Sequence, residues 1–171
     1  MHVRDAVPTD AAAVLELHCA AIAERGPGGY DAEVVEAWAS GRSVDDYDFD
    51  SDEFVVAETD AGGDSDDDAG GDVVGFGTAT NECREHLDST VDAEVTAVYV
   101  APSVACQGVG TAILGDLHDR LRDRGASTAA LWSSRNAVGF YERRGYERVT
   151  THVHEFAEGV TGDVVEMRTR L

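Results

Sequence analysis

The stretch Val98–Leu114, VYVAPSVACQGVGTAIL, constrains the fold more than any other part of the chain. A run of strand-forming residues stops at Pro102, and a short loop carries Gly108 and Gly110. Ile113, Leu117 and Leu121 then repeat at helical spacing, with Leu114 beside them. A strand that feeds a helix through a glycine loop sets consecutive main-chain N–H groups, Cys106 to Thr111, at a helix N-terminus. Unpaired donors and the positive end of the helix dipole make such a turn a ready anion site. Gly108 and Gly110 lack Cβ atoms, so a phosphate can approach the backbone there.

The rest of the chain supplies a sheet around this unit. HVRDAV (2–7) reads as a short strand, and Thr9 or Asp10 caps a helix whose stripe runs through Val14, Leu17 and Ala21. Gly26-Pro27-Gly28-Gly29 ends it, and Asp31 to Ser40 forms a second helix that buries Val34, Val35 and Trp38. EFVVAET (53–59) and DVVGFGTAT (72–80) are strands. The linker between them is almost only glycine and aspartate, so residues 60–72 read as a disordered acidic hairpin loop. A calcium loop through Asp64, Asp66 and Asp68 fails, because it requires Gly at 69 and Glu at 75, where Ala69 and Gly75 stand. Ala93 to Val100 is apolar enough for a central strand. A helix to Gly125, the strand STAALWS (127–133), a short helix Asn136 to Arg144, and strands 147–156 and 164–171 follow. The order β-α-α-β-β-β-α-β-α-β-β predicts an α/β fold with one mixed sheet and helices on its faces, a single domain spanning 1–171.

Charge narrows the partners. The chain has 171 residues, 34 acids and 13 bases, a formal net charge of −21. Every base is arginine. Such a surface repels nucleic acid and anionic lipid. In molar salt the Debye length shrinks to about 3 Å and the self-repulsion is screened. The composition resembles that of proteins from extreme halophiles, which attributes the acidity to solvent adaptation rather than to a cationic partner. No leader-like N-terminus and no long apolar run appear, so a soluble, cytoplasmic protein is expected. Cys19, Cys83 and Cys106 form no CxxC pair, which argues against disulfides and zinc.

Two nucleotide readings of the loop fail on single residues. The dinucleotide fingerprint GxGxxG needs glycine where Ile113 stands, and a P-loop begun at Gly110 needs lysine where Asp116 stands. The loop fits another pattern. Tyr99-Val100-Ala101-Pro102, then Gly108 and Gly110, then Ala137-Val138-Gly139-Phe140-Tyr141-Glu142-Arg143-Arg144-Gly145-Tyr146 resemble the paired motifs of the GNAT N-acetyltransferase superfamily, and the element order agrees over nearly the whole chain.

The resemblance implies an acetyl-CoA-dependent N-acetyltransferase acting on a primary amine of a small molecule or peptide, with no metal and often as a homodimer. It implies that amides of Ala105, Cys106, Gln107, Gly108, Val109, Gly110 and Thr111 grip the pyrophosphate. The central strand would splay from its neighbour so that Val98 and Val100 pair with the pantetheine arm, and Asn136 and Tyr141 would complete the cofactor set. Ala105 stands where the family has Arg or Gln, and Cys106 where it often has Gly. Ala105 gives up a side-chain contact and mildly favours the alternative of a non-catalytic acyl-CoA sensor.

Acetyl transfer needs an acceptor for the amine proton and a donor for the departing thiolate. Tyr141 matches the tyrosine that faces the CoA sulfur, and a phenol stays protonated at neutral pH. Glu94, in AEVTAVYV, resembles a family glutamate that often serves as base, directly or through water; a carboxylate there either accepts the ammonium proton, binds the ammonium, or is an ordinary surface glutamate, and strand alternation puts it on one face with Thr96, Val98 and Val100. Cys106 at a helix N-terminus suits a nucleophile, but the resemblance turns it toward pyrophosphate, away from the thioester. Arg135, Arg143 and Arg144 either reach the 3′-phosphate of CoA or are solvated. His152 and His154 share a strand face as a potential metal pair without an evident third ligand; solvated strand histidines are the simpler reading. The acceptor would be chosen by the two N-terminal helices, residues 81–92 and the final hairpin, none of which carries a motif.

Overall fold

A computed structural model describes residues 1–49, 53–59, 71–82 and 85–171. Residues 60–70 of the acidic loop, with the rejected calcium positions Asp64, Asp66 and Asp68, and Cys83 lie outside the described residues. The expected element order is observed, with short 3₁₀ turns added between elements: β1 (His2–Asp5), α1 (Ala11–Arg25), α2 (Ala32–Ala39), β2 (Glu53–Glu58), β3 (Val73–Thr80), β4 (Ala93–Val100), α3 (Val109–Asp123), β5 (Thr128–Ser134), α4 (Val138–Glu142), β6 (Glu147–Ala157) and β7 (Val160–Arg170). One sheet takes the strand order β1-β2-β3-β4-β5-β7-β6.

All neighbours in the sheet are antiparallel except β4 and β5, which pair in parallel through only Ala93↔Ala129 and Glu94↔Ala130. Asp92 holds the two strands together at that end: its Oδ2 accepts from Ser127 N (2.9 Å), Thr128 N (3.0 Å) and Thr128 Oγ1 (2.9 Å). Those bonds keep its carboxyl below the usual carboxylate range. Beyond Glu94 the strands part, so the expected splay is present.

A bulge redirects β4. Thr78 pairs with Ala97 and Ala79 with Val95, leaving Thr96 as an extra residue whose hydroxyl lies 2.5 Å from that of Thr78. Alternation is therefore interrupted. Val95, Val98 and Val100 all join the core under α3, whereas Ala97 and Tyr99 pack with the core under α1. Glu94, beside Val95, faces the α1 side. This corrects the expectation that Glu94 shares a face with Val98 and Val100: one inserted residue flips every side chain after it.

The larger core lies between the sheet and α3, where Ile113, Leu114, Leu117 and Leu121 are buried to 1% exposure or less. Each such side chain contributes roughly 1.5–3 kcal/mol. The helix sits close because β3 offers glycines beneath it. A Cβ on Gly75 would lie 2.7 Å from Ile113 Cδ1, and one on Gly77 would lie 2.5 Å from Ile113 Cγ2 and 2.9 Å from Leu117 Cδ1.

The second core holds a buried histidine. His18 on α1 packs against Tyr99 and Phe76, ring centroids 4.0 and 5.2 Å away, with Nδ1 3.0 Å from the Tyr47 hydroxyl. Burial, helped by repulsion from Arg42, lowers its pKa to about 3. The unfolded chain therefore binds a proton that the native chain refuses between that value and the ordinary histidine pKa of about 6.5. Stability is complete above pH 6.5 and falls with acidification by about 1.4 kcal/mol per pH unit from this group. Carboxylates held at lowered pKa, such as Asp10 beside Arg4, add their loss only near pH 4 and below. Urea titrations between pH 6.5 and 4.5 should show the slope in the wild type and a shallower one in His18→Gln, the remainder coming from His118 and His154, whose pKa values burial also lowers.

Candidate active site

Where β4 and β5 separate, a cleft of about 620 Å³ opens. Its walls come from β4 (Val98, Tyr99, Val100), the glycine loop, the start of α3, the end of β5 (Ser134), α4, and the α1 and α2 side chains Ile22, Arg25 and Trp38. Of the residues singled out in the sequence, Val98, Val100, Ala105, Cys106, Gly108, Gly110, Thr111, Asn136 and Tyr141 line it. Gln107 and Val109 do not. The Val109 side chain is buried in the core under α3, and the Gln107 amide donates to Ser103 O (3.4 Å) on the exposed side of the loop. Loop alternation turns those two side chains away, leaving only their main chain for a ligand.

The amides of this loop divide into engaged and available. Gln107 N donates to Val104 O (3.3 Å), Ala105 N to Pro102 O (3.2 Å), and Thr111 N to Gly108 O (3.0 Å). The N–H groups of Cys106, Gly108, Val109 and Gly110 have no acceptor among the described residues. Gly108 sits at φ +92° and Cys106 at φ +63°. Only glycine takes that region without strain, so Cys106 stands where a glycine would be the relaxed choice. At Gly110 a Cβ would press on the Phe140 ring at 3.2 Å, so the helix start approaches α4 closely only because the side chain is missing.

Among the described arginines, Arg42, Arg135, Arg168 and Arg170 have no carboxylate in ion-pair range and do not line the cleft. Arg4, Arg120, Arg122, Arg124 and Arg148 each pair with a carboxylate. Arg25, Arg143 and Arg144, which line the cleft, have no carboxylate in ion-pair range among the described residues. Three cations gathered around one cleft in so acidic a chain favour an anionic ligand there. Arg144 lies 3.7 Å from the Phe140 ring centroid, bonds Phe140 O and the Thr111 hydroxyl, and keeps a buried Nε without an acceptor. Burial and then the neighbouring Arg143 lower its pKa, both of which an anion would relieve. Arg135 is adjacent to the cleft wall at Asn136, whose Nδ2 donates to Arg25 O (2.6 Å) and so ties α1 to the turn before α4.

Tyr141 is 7% exposed, borders the cleft, and its hydroxyl makes no hydrogen bond to another described residue. Burial pushes its pKa well above the ordinary phenol value. The group is a proton donor that faces an open space and stays protonated throughout the neutral and moderately alkaline range.

Glu94 lies elsewhere. Its side chain is 4% exposed, on the α1 side of the sheet, with Oε1 3.0 Å from His86 Nε2. His86 packs edge-on to Trp132 (4.3 Å), and Trp132 stacks with His152 (4.9 Å) and meets His154 (5.7 Å). His154 touches Phe156, Phe156 touches Trp38, and Trp38 touches Tyr99 on the cleft wall. A continuous arc of rings thus runs from the cleft to Glu94, built from α2, residues 85–92, β5 and β6. His152 and His154 are half-buried members of this arc, which corrects their reading as solvated. A third group does stand by His152: its Nε2 is 2.8 Å from Glu166 Oε2 and 3.9 Å from Asp88 Oδ2. Glu166 is fully buried and also accepts from Asp88 N (2.9 Å) and Ser89 N (2.7 Å). Burial raises its pKa, but the Ser89, Asp88 and His152 donors outweigh that and hold it below the usual range. With both oxygens engaged, Glu166 serves as an internal hub rather than a vacant ligand.

Sequence reasoning missed His86, Trp132, Glu166 and Arg25. The only linear trace of the arc was the alternation His152, His154, Phe156 on β6.

Comparisons with known proteins give the family and the fold. A family model described as an acetyltransferase (GNAT) domain matches residues 50–148, more than half of the chain. No curated protein matches by sequence. Among solved structures, a GCN5-related N-acetyltransferase from Rhodopseudomonas palustris superposes with TM-score 0.77 at 24% identity, covering 99% of this chain and 94% of that one. The PaiA N-acetyltransferase of Thermoplasma acidophilum, in complex with coenzyme A, gives TM-score 0.69 at 18% identity, covering 99% and 98%. YncA of Salmonella typhimurium with its cofactor acetyl-CoA gives 0.63 at 21%, covering 100% and 94%.

Proposed function

Since the chain belongs to the GNAT acetyltransferase family, we propose that it transfers the acetyl group of acetyl-CoA directly to a primary amine of a small molecule or peptide. One observation carries this reading: β4 and β5 part after Glu94↔Ala130, and the gap opens between the unpaired amides at 106 and 108–110 and the Tyr141 hydroxyl. Those amides take the diphosphate, Arg143 and Arg144 face its charge, and the main chain at Val98 and Val100 runs beside the pantetheine arm. The amine nitrogen attacks the thioester carbonyl carbon, the C–S bond breaks, and Tyr141 protonates the leaving sulfur. Glu94 supplies the carboxylate of the proton-accepting side.

Amide donors carry no net charge, so this grip survives salt that screens a distant cation. On the same reading the protein works in a concentrated-salt cytoplasm, and a homodimer is the assembly to look for by light scattering. No helix among the described residues is long and apolar enough to cross a membrane.

The test is thiol release from acetyl-CoA in molar KCl with putrescine, tyramine, free amino acids and a tripeptide as acceptors. Release that depends on one of these amines supports the reading. Saturable acetyl-CoA binding with no amine-dependent release replaces it with the acyl-CoA sensor, which the missing side chain at Ala105 favours.

A further inference from the structure

The acetyl-transfer reading leaves open which atom meets the ammonium, and the inference here rests on that reading. We propose that His86 is the group that takes the amine proton, and that Glu94 acts behind it as a positioning residue.

Exposure separates the two. The Glu94 side chain is 4% exposed and that of His86 is 28% exposed, with the carboxylate 3.0 Å from Nε2. On this proposal the imidazole proton sits on Nε2, beside the carboxylate, and Nδ1 keeps its lone pair. The buried acid would then set the tautomer, and the more exposed ring would offer the base.

Location agrees. Trp132, against which His86 packs, stands two residues beyond Ala130, the last β5 residue paired with β4. It does not line the cleft itself, but it shares a β5 face with Ser134, which does. Residues 85–92 are fixed there by fully buried Glu166, which accepts from Asp88 N and Ser89 N. The titratable groups around the His86–Trp132 contact are Glu94 from β4, His152 and His154 from β6, Glu166 from β7 and Asp88 from the same loop. Their carboxylates favour a cationic amine at this spot, and the indole and imidazole faces provide its apolar flank.

The protons balance. An ammonium loses two in becoming an amide. His86 Nδ1 takes the first before attack and passes it to solvent. The second passes from nitrogen to solvent as the tetrahedral intermediate collapses, and the proton that Tyr141 gives to sulfur is replaced from the medium. One proton is released per turnover.

The experiment compares wild type, His86→Gln and Glu94→Gln in the thiol-release assay with the amine panel, from pH 6.5 to 9. His86→Gln should lower kcat on the order of 100-fold at pH 7 with KM for acetyl-CoA unchanged. Its deficit should shrink about tenfold per pH unit, because higher pH delivers neutral amine without a base. Glu94→Gln should lose less, since its amide oxygen can still accept from Nε2. A deficit equal at every pH would mean that His86 only supports structure. A His86→Gln rate within twofold of wild type would return the proton to Glu94. Both overturn the proposal. No thiol release by wild type with any amine is a different result: it removes the acetyl-transfer reading and this inference with it. Nitrogen-15 NMR of the wild type adds a readout independent of acceptor, with the proton expected on His86 Nε2; a proton on Nδ1 overturns the assignment.

Discussion

Tyr141→Phe should lower kcat for amine-dependent thiol release by on the order of 100-fold, about 2.7 kcal/mol of transition-state stabilisation. The substitution removes one oxygen from a side chain that is 7% exposed and otherwise packs against Phe140 and Tyr146, at ring-centroid distances of 5.0 and 5.5 Å. The phenylalanine keeps those contacts, so KM for acetyl-CoA should stay within about threefold if chemistry is slow relative to dissociation. The pH profile gives a second reading. Burial raises the Tyr141 pKa, so the protonated, competent form persists as pH climbs through the ordinary phenol value near 10. Wild type should show no loss of donor below that point. Steady-state kinetics of the two proteins in molar KCl check both statements, and an unchanged kcat in the variant removes the acid role.

Gly77→Val should cost about 3 kcal/mol of stability and lower Tm by roughly 10 °C. The added Cβ alone would stand 2.5 Å from Ile113 Cγ2 and 3.2 Å from Ala97 O. One obstacle is a branched core side chain and the other is main chain on the neighbouring strand, so neither can simply swing aside. The helix must lift, and its N-terminus carries the glycine loop. Gly75→Val acts nearer that end, because its Cβ would meet Val109 Cγ1 and Tyr99 O, both at 3.0 Å. Gly77→Val should therefore show mainly in calorimetric Tm, and Gly75→Val in both Tm and acetyl-CoA affinity. A Gly77→Val protein that melts with the wild type would mean α3 is not held at the distance described.

Strong local periodicity made most elements legible. β4 begins and ends where its apolar run does, and α3 follows from the spacing of Ile113, Leu117 and Leu121. The cleft was legible for a related reason: its parts are consecutive in sequence, on the strand–loop–helix unit and on the segment around Tyr141. The bulge at Thr96 was not legible. Whether β4 accommodates an extra residue depends on its pairing with Thr78 and Ala79, a long-range fact, and the face of Glu94 depended on it. The ring arc was hidden for the same reason. His86, Trp132 and His152 lie on three separate segments and meet only because β5 pairs with β7 and β7 with β6. Buried Glu166 looked like one more acid in an acidic chain. Nothing in its neighbours along the sequence announces that it accepts two main-chain amides from a loop 77 and 78 residues away.

Calorimetric titration of acetyl-CoA at 1 M and 3 M KCl tests the grip of the loop on the cofactor most directly. Short-range bonds from the amides of Cys106, Gly108, Val109 and Gly110 should give saturable binding whose affinity changes by less than about fivefold across that range. Absence of binding at either salt, or an affinity that collapses as salt rises, would contradict the assignment of those amides as the diphosphate site.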